Sequence, residues 1–395
     1  MKVLWVTFGL PYPPDCGVRL RDFHLIREVS RGARVILFSL VPHGGLTDPA
    51  GLRDFCERVE TWRMPRTVPP LRLLRSVSAG AWRNFFPGAA ARIGEIARAE
   101  LPDIVQIEHS LLAAYRDAVP PAVKCRTVIS LHNVAYEQYL RFASLKRGLP
   151  AHVAYRLKSW LMRRTETRYI PRFDCCLTVS RAQSALVTRL LPSVRPAVVE
   201  NGVDCAALRP LPHGGAALLF AGVMDYPPNA DAAVFFCRSI MPLVRPLIPD
   251  AKLLIVGHSP PSQVRRLAGE PGVTVAGYVE DLIPWYSQAA VTVVPLRAGG
   301  GTRLKILESM ALGRPVVSTT IGCEGLEVEH NRHILIADTP ERFAGCVTRL
   351  LLDPALRDRI AAEARRLVEE RYNWPAIGKR LLDVYNGLVR ELPAP

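Results

Sequence analysis

The 395-residue chain has no uncharged run long enough to cross a bilayer, which takes about 18 apolar residues or more. The two longest, Pro210 to Met224 and Leu282 to Leu296, are both interrupted by proline. The opening stretch, Lys2-Val-Leu-Trp-Val-Thr-Phe8, is apolar but has no small-residue cleavage site behind it. It reads as a first buried strand rather than a secretory signal, and a cytoplasmic protein is expected. None of the nine cysteines forms a C-x-x-C pair, and no Cys and His cluster has zinc-ligand spacing. Reduced, buried thiols are therefore expected rather than a disulfide framework or structural zinc. No two aspartates lie two residues apart, so there is no D-x-D, and neither a metal nor a cofactor is expected. No G-x-G-x-x-G follows the first strand, which argues against a dinucleotide-dependent dehydrogenase. Short repeats and low-complexity tracts are missing as well.

What is present is globular. The chain is 49% hydrophobic and 22% charged, far from the composition of a disordered chain. Its length exceeds what one ordinary core organises, so two domains are expected. Short apolar strands alternate with helix-period segments, the pattern of βαβ units and parallel sheets. In the first half, strands are predicted at Val3–Phe8, Arg34–Leu40, Asp103–Ile107, Thr127–Leu131, Cys175–Val179 and Ala197–Glu200, with helices such as Arg19–Ser30, Leu71–Asn84 and Ala151–Tyr169. The second half starts afresh with strands at Ala217–Ala221, Lys252–Val256, Val273–Ala276, Val291–Pro295, Pro315–Ser318 and His333–Ile336. Its helices include Asn229–Leu247, Leu282–Ala289, Arg303–Leu312, Arg342–Leu352 and Ala355–Glu370. Asn201 to Gly215, with Pro210, Pro212, Gly214 and Gly215, reads as the linker. The fold class is α/β, with two Rossmann-like doubly wound parallel sheets. Such sheets bind ligands outside the carboxyl ends of their strands, where helix starts supply unpaired N–H groups, and a cleft there is expected.

The charge is one-sided. Residues 1–200 hold 30 Lys and Arg against 16 Asp and Glu, a net +14, while residues 201–395 hold 21 against 20. The densest part runs from Arg141 to Arg172, nine basic residues opposed by Glu166 alone. Phe142, Leu145, Tyr155, Leu157, Trp160, Leu161 and Met162 are interleaved with them. A basic helix carrying bulky apolar residues suits an anionic membrane surface; a solvated arginine-rich helix is the alternative. Nucleic acid would also attract this charge, but no nucleic-acid-binding motif accompanies it.

The most informative segment is Val293-Val-Pro-Leu-Arg-Ala-Gly-Gly-Gly-Thr-Arg-Leu-Lys-Ile-Leu-Glu-Ser-Met-Ala-Leu-Gly-Arg-Pro-Val-Val-Ser318. A buried strand ends at Pro295, three glycines follow, and a helix is predicted to open at about Thr302. Glycines admit close approach of backbone to a ligand, and the helix start offers free amides and positive dipole to a diphosphate. Arg303 and Lys305 add cationic donors. Glu308, seven residues after Gly301, lies on nearly the same helical face, and its carboxylate can accept two ribose hydroxyls. A glycine-rich turn before an amphipathic helix is the plainer alternative.

The run Gly301-x-Arg-x-Lys-x-x-Glu-x-Met-Ala-x-Gly-x-Pro-Val-Val-Ser318 resembles the donor-site signature of glycosyltransferase family 4. So do Glu200-Asn-Gly-Val-Asp204 followed by Pro210, Leu219-Phe-Ala-Gly222, Leu254-Ile-Val-Gly257 and Val275-Ala-Gly-Tyr-Val279. The resemblance extends over essentially the whole chain, is densest from Asn201 to Asp338, and is closest to the branch associated with bacterial exopolysaccharide and capsule assembly. It implies the GT-B architecture. Residues 1–200 would be the acceptor-binding domain, joined by a returning C-terminal helix at 374–390. Residues 201–373 would bind the nucleotide-sugar donor.

Several site residues follow from that resemblance. Glu308 matches the second glutamate of the family's E-x7-E motif, which binds the donor ribose; the first is replaced by Gly300. The family's Arg and Lys after the opening strand of the second domain are missing from Gly222-Val-Met-Asp-Tyr-Pro-Pro-Asn229. Arg303 and Lys305 are expected to take over their role at the diphosphate. Gly300, Gly301, Thr302 and Asn201 complete the expected donor contacts. Gly277, Tyr278 and Val279 match the turn whose backbone holds the nucleobase, leaving UDP and GDP both open. His132, in Ser130-Leu-His-Asn-Val134, matches the family histidine that contacts the transferred sugar, although a histidine at a strand end can also be structural. A structural role is expected for Glu108-His109-Ser110. Gly17 and Arg19 are candidates for an acceptor or phosphate loop, with a proline-stiffened loop as the alternative. The resemblance further implies a retaining reaction; no convincing carboxylate nucleophile is present in the sequence, so front-face attack by the acceptor hydroxyl, with the β-phosphate taking its proton, is expected. The acceptor would be a saccharide or lipid-linked saccharide, with an anionic membrane surface as partner and nucleic acid not. The competing readings are a sugar-nucleotide epimerase or hydrolase of the same architecture, and a non-enzymatic protein binding membrane or nucleic acid.

Overall fold

The first strand is apolar almost throughout because both of its faces are covered. The computed structural model describes residues 1–45, 48–66, 85–145, 148–212 and 215–391. The helix expected at Leu71–Asn84 lies outside them, as do His213 and Gly214 of the expected linker. The chain divides into two units. One takes in Met1–Ala143, Gly148–Asn201 and the segment from Trp374 onward. The other takes in Gly202–Asn373 with a short stretch beginning at Ser144.

In the first unit, β1 (Lys2–Phe8), β2 (Arg34–Val41), β3 (Arg58–Arg63), β4 (Ile104–Glu108), β5 (Arg126–Leu131), β6 (Cys175–Thr178) and β7 (Ala197–Val198) form one parallel sheet in the order β3-β2-β1-β4-β5-β6-β7. Its helices are α1 (Gly17–Val29), α2 (Pro87–Glu100), α3 (Ala135–Ser144), α4 (Leu149–Tyr169) and α5 (Arg181–Leu190). The alternation of a strand separates two cores. Leu4, Val6, Ile36 and Phe38 pack with Ile93 and Ile96 of α2. Val3, Trp5, Val35 and Leu37 pack with Leu25, Ile26 and Val29 of α1 and with the last helix, Trp374–Arg390. That last helix buries Trp374, Ile377, Leu381 and Tyr385. It comes so close to α1 that a Cβ on Gly378 would lie 2.2 Å from Glu28 Cβ.

The second unit repeats the plan with β8 (Ala217–Ala221), β9 (Lys252–Val256), β10 (Val273–Gly277), β11 (Ala289–Val294), β12 (Val316–Ser318) and β13 (Leu335–Ile336), parallel and ordered β10-β9-β8-β11-β12-β13. Its longer helices are α6 (Pro227–Phe235), α7 (Leu304–Ala311), α8 (Pro340–Leu352) and α9 (Pro354–Arg371).

Three elements differ from the pattern read in the sequence. β3 was missed because Arg58-Val-Glu-Thr-Trp-Arg63 carries three charged residues and is only half-buried, as an edge strand is. The single helix expected over Asn229–Leu247 is α6, a π-helical stretch at Phe236–Ile240, and one further α-turn at Met241–Val244. Pro242 has no N–H for the carbonyl a turn earlier, and the widened turn absorbs that loss. The helix expected from Thr302 begins at Leu304. The glycine loop runs on because Gly299 and Gly301 take φ of 134° and 73° and Arg303 remains extended.

Candidate functional site

In the second unit the expected donor residues gather at the carboxyl ends of β8, β9, β10 and β11. Gly222 and Gly257 follow β8 and β9, both with φ of 150°. A Cβ on Gly257 would sit 1.7 Å from the Gly222 carbonyl oxygen. A Cβ on Gly222 would sit 2.6 Å from Lys305 Nζ and 2.9 Å from Asn229 Nδ2. Only glycine lets α7 bring its lysine this close to the strand ends.

Lys305 Nζ donates to Asn229 Oδ1 at 2.9 Å and lies 4.5 Å from the Phe220 ring centre. Asn229 is itself fixed by donating from Nδ2 to the Val223 carbonyl at 2.8 Å. Burial and the neighbouring Arg303 charge bring the Lys305 ammonium down to about 7. Arg303 is buried and folds back on its own loop, Nη1 donating to the carbonyl oxygens of Gly300 and Gly301, the latter at 2.7 Å. Thr302 is buried beside it. Glu308, on the next turn of α7, has no hydrogen bond to its carboxylate among the described residues. Burial raises its pKa, and Lys305 opposes that rise. At the end of β10, Gly277 takes φ of 72° and its carbonyl accepts from Gly257 N at 2.8 Å. Tyr278 is 71% exposed and Val279 half-buried.

In the first unit His132 follows β5 and is buried. Its Nε2 lies 2.8 Å from Glu108 Oε2, at the end of β4, and 3.3 Å from Asp22 Oδ1 of α1. The Glu108 carboxylate is fully buried, and Oε1 accepts from Trp5 Nε1 at 2.8 Å and Gln106 Nε2 at 2.6 Å. Arg21, also buried, donates to the carbonyl oxygens of Val199 and Glu200 and to Asn201 Oδ1, at 2.9, 2.8 and 2.8 Å. Burial alone would discharge each of these groups. For His132 that tendency is outweighed by Asp22 and Glu108, and its pKa rises. For Glu108 burial is outweighed by His132 and Arg21, and its pKa falls. Asp22 goes the other way, to about 6, through burial and the Glu108 charge. His109 has φ of 66°, and burial together with the His132 charge keeps its imidazole neutral.

Asp22, His109 and His132 each offer a ligand atom within 4.8 Å of the others. His132 Nε2 already lies against two carboxylates, Asp22 and Glu108, which raise its pKa, so the cluster suits an imidazolium better than a metal ion.

The structure thus brings together Gly300, Gly301, Thr302, Arg303, Lys305 and Glu308 on one loop and helix. Gly277, Tyr278 and Val279 lie on the β10 turn of the same sheet. Asn201 belongs to the first unit, bound to Arg21. Gly17 opens α1, and Arg19 is ion-paired with Asp15 at 2.9 Å. Sequence reading missed Asn229, Asp22 and Arg21, and it left Glu108 as structural. Only the opening of α6 by Pro227-Pro228-Asn229 offered a signal for the first. Nothing in chain spacing signals the others, which meet through sheet order.

Comparison with known proteins agrees unit by unit. The model of the Glycosyltransferase Family 4 matches residues 25–207, and that of Glycosyl transferases group 1 matches residues 215–353. A D-inositol 3-phosphate glycosyltransferase from Thermomonospora curvata is 29% identical over 225 residues, 49% of this chain and 52% of that protein. The match therefore spans about half the length of that relative. Among solved structures, the sucrose-phosphate synthase from Thermosynechococcus elongatus superposes with a TM-score of 0.76 at 19% identity, over 99% of both chains. Anabaena HepE in complex with UDP and glucose gives 0.70 at 15% identity, over 98% of this chain and 100% of that one. Both sheets have the doubly wound parallel form of the GT-B fold, and the chain belongs to the glycosyltransferases of family 4.

Proposed function

We propose that the protein transfers a sugar, with retention of configuration, from a UDP- or GDP-sugar to a saccharide or lipid-linked saccharide. The observation that carries this reading is the meeting of Lys305, Glu308 and the glycine loop 299–301 at the strand ends of the second unit. A diphosphate there faces free amides at the start of α7 and the Lys305 ammonium, and Glu308 accepts the ribose hydroxyls. The anomeric C–O bond to the diphosphate breaks as the acceptor oxygen attacks on the same face. The acceptor proton passes to a β-phosphate oxygen, and nucleoside diphosphate leaves. Lys305 and Arg303 stabilise the charge on that leaving group, and no divalent metal is needed for it. His132 contacts the transferred sugar. The HepE complex with UDP supports UDP as the first donor to try. Calorimetric titration of UDP, GDP and their sugars with EDTA throughout tests the reading. Micromolar binding of one nucleotide is expected, and absence of binding for all of them, or binding restored only by Mg²⁺ or Mn²⁺, overturns it.

The acceptor is presented at an anionic membrane, and α4 is the docking element. Leu149, Val153, Leu157 and Trp160 are 76, 54, 55 and 50% exposed, and their spacing of four, four and three residues puts them on one helix face. Arg156, Arg163, Arg164 and Arg168 lie on or beside that face and have no acidic partner among the described residues, while Lys158 sits over the Tyr155 ring on another side of the helix. Glu166, the one acid in the segment, points inward and accepts from the backbone N–H groups of Ala135 and Tyr136 at the start of α3. Phe142 and Met162, expected as surface anchors, are buried instead. Arg141 and Arg172 are paired with Glu137 and Asp117, and Lys146 and Arg147 lie outside the described residues. Each cation near an anionic bilayer contributes about 1 kcal/mol. Co-sedimentation with phosphatidylglycerol vesicles but not phosphatidylcholine vesicles is expected, weakened by salt and by Trp160→Ala. Equal binding to both, or to neither at low salt, ends this part of the reading.

A further inference from the structure

We propose that Glu108 is a positioning residue for sugar transfer: its carboxylate fixes the Nε2 edge of His132, and Tyr385 of the last helix braces that carboxylate through Gln106. The inference rests on the reading of His132 as the contact for the transferred sugar.

The hydrogen bonds run from the last helix toward Glu108. Tyr385 is buried, and burial keeps its phenol protonated far above the usual range, so its hydroxyl is a donor. It donates to Gln106 Oε1. With its oxygen so used, Gln106 must turn its amide nitrogen to Glu108 Oε1, at 2.6 Å. Trp5 Nε1, which can only donate, reaches the same oxygen at 2.8 Å. Glu108 Oε2 therefore remains for His132 Nε2, at 2.8 Å. Trp5 and Gln106 can only donate to Glu108, and because His132 and Arg21 hold that carboxylate ionised, His132 Nε2 donates to it as well. Both carboxylate contacts of His132, from Glu108 and Asp22, use Nε2, so Nδ1 is the nitrogen left to serve a substrate.

A merely structural role does not account for this arrangement. Burying a carboxylate, an imidazole and a guanidinium costs more than burying apolar residues of the same size. The cluster lies at the carboxyl ends of β4 and β5, where doubly wound sheets place ligands. Sequence separation hid the connection. Tyr385 lies 279 residues from Gln106, while Glu108 and His132 are joined by the parallel pairing of β4 with β5.

The test is long-range ¹H–¹⁵N NMR of the histidines in the full chain, with His132 assigned by His132→Gln, alongside kinetics on UDP-glucose or GDP-mannose as the titration panel selects. Glu108→Gln keeps the shape but removes the charge. It should lower the His132 titration midpoint by about one pH unit or more. It should also cut kcat by about tenfold at neutral pH, move the alkaline limb of activity to lower pH, and leave KM for the donor within about twofold. Tyr385→Phe should do the same more weakly, by about threefold in kcat, as expected for one lost hydrogen bond. If Glu108→Gln does not fold, Tyr385→Phe alone gives the same readouts. An unmoved His132 midpoint in a folded variant, or a loss confined to KM, overturns the proposal. A wild-type protein that binds no nucleotide overturns the transferase reading instead, and the NMR midpoint still decides whether Glu108 controls His132.

Discussion

The two units share a sheet plan but treat polar groups in opposite ways. In the first, charge is sealed in: Glu108, Asp22, His132 and Arg21 are all buried and bond to one another or to backbone carbonyls. In the second, approach is achieved by leaving side chains out. Gly222 and Gly257 touch where no Cβ fits, and the charged groups beside them are lightly held, Lys305 by one hydrogen bond to Asn229 and by the Phe220 ring, and Glu308 by no hydrogen bond among the described residues. A charge network fixes one proton at one atom. A glycine cradle fixes only the backbone, leaving cation and carboxylate able to turn toward whatever binds there.

That contrast can be broken first at its steric end. Gly257→Ala forces a Cβ to 1.7 Å from the Gly222 carbonyl oxygen at a φ of 150°. A loss of about 3 kcal/mol or more is expected, confined to the second unit. Calorimetric scanning should show one of two unfolding steps displaced and the other unmoved; a single, unchanged profile contradicts the close packing. The next effect is on binding. Glu308→Ala removes charge-assisted hydrogen bonds worth about 1.5–3 kcal/mol. Nucleotide affinity should fall about tenfold or more by calorimetry in a protein that melts as before. Equal affinity in a folded variant takes Glu308 out of the donor site.

The third effect is smaller and sharpens the comparison through pH. Lys305 titrates near 7 in the folded chain, through burial and the Arg303 charge. A depressed lysine is charged below that value and neutral above it. Diphosphate affinity should therefore be highest below pH 7, decline by about tenfold toward pH 8.5, and be accompanied by proton uptake above neutrality. The signs run the other way for stability: between about 7 and the free-lysine value the unfolded chain holds the extra proton, so this group makes the fold more stable as pH rises. Lys305→Met should flatten the affinity profile. A wild-type profile that is already flat means Lys305 is not the cation that meets the diphosphate.

Much of the fold was legible because parallel strands covered on both faces are written as apolar runs, as in Val3–Val6 and Ala289–Val294. The edge strand Arg58–Arg63 lacked that mark. The glycine loop and α7 were legible as a contiguous motif. The Glu108–His132 pair was not, because its partners depend on which strands become neighbours, and no spacing along the chain encodes that β4 pairs with β5. Asn229 escaped for the same reason: its role depends on α6 facing a lysine 76 residues later.

The last helix also governs the order in which the molecule can be made. Trp374, Ile377, Leu381 and Tyr385 form one wall of the first unit's core. A nascent chain that has emerged only as far as residue 200 therefore holds all of that unit's strands but lacks one wall of the core around Val3, Trp5, Leu25 and Ile26. Synthesis is vectorial and domains close as units. The middle of the chain can then finish folding while the beginning is still open, and the oldest residues wait on the ribosome for the youngest.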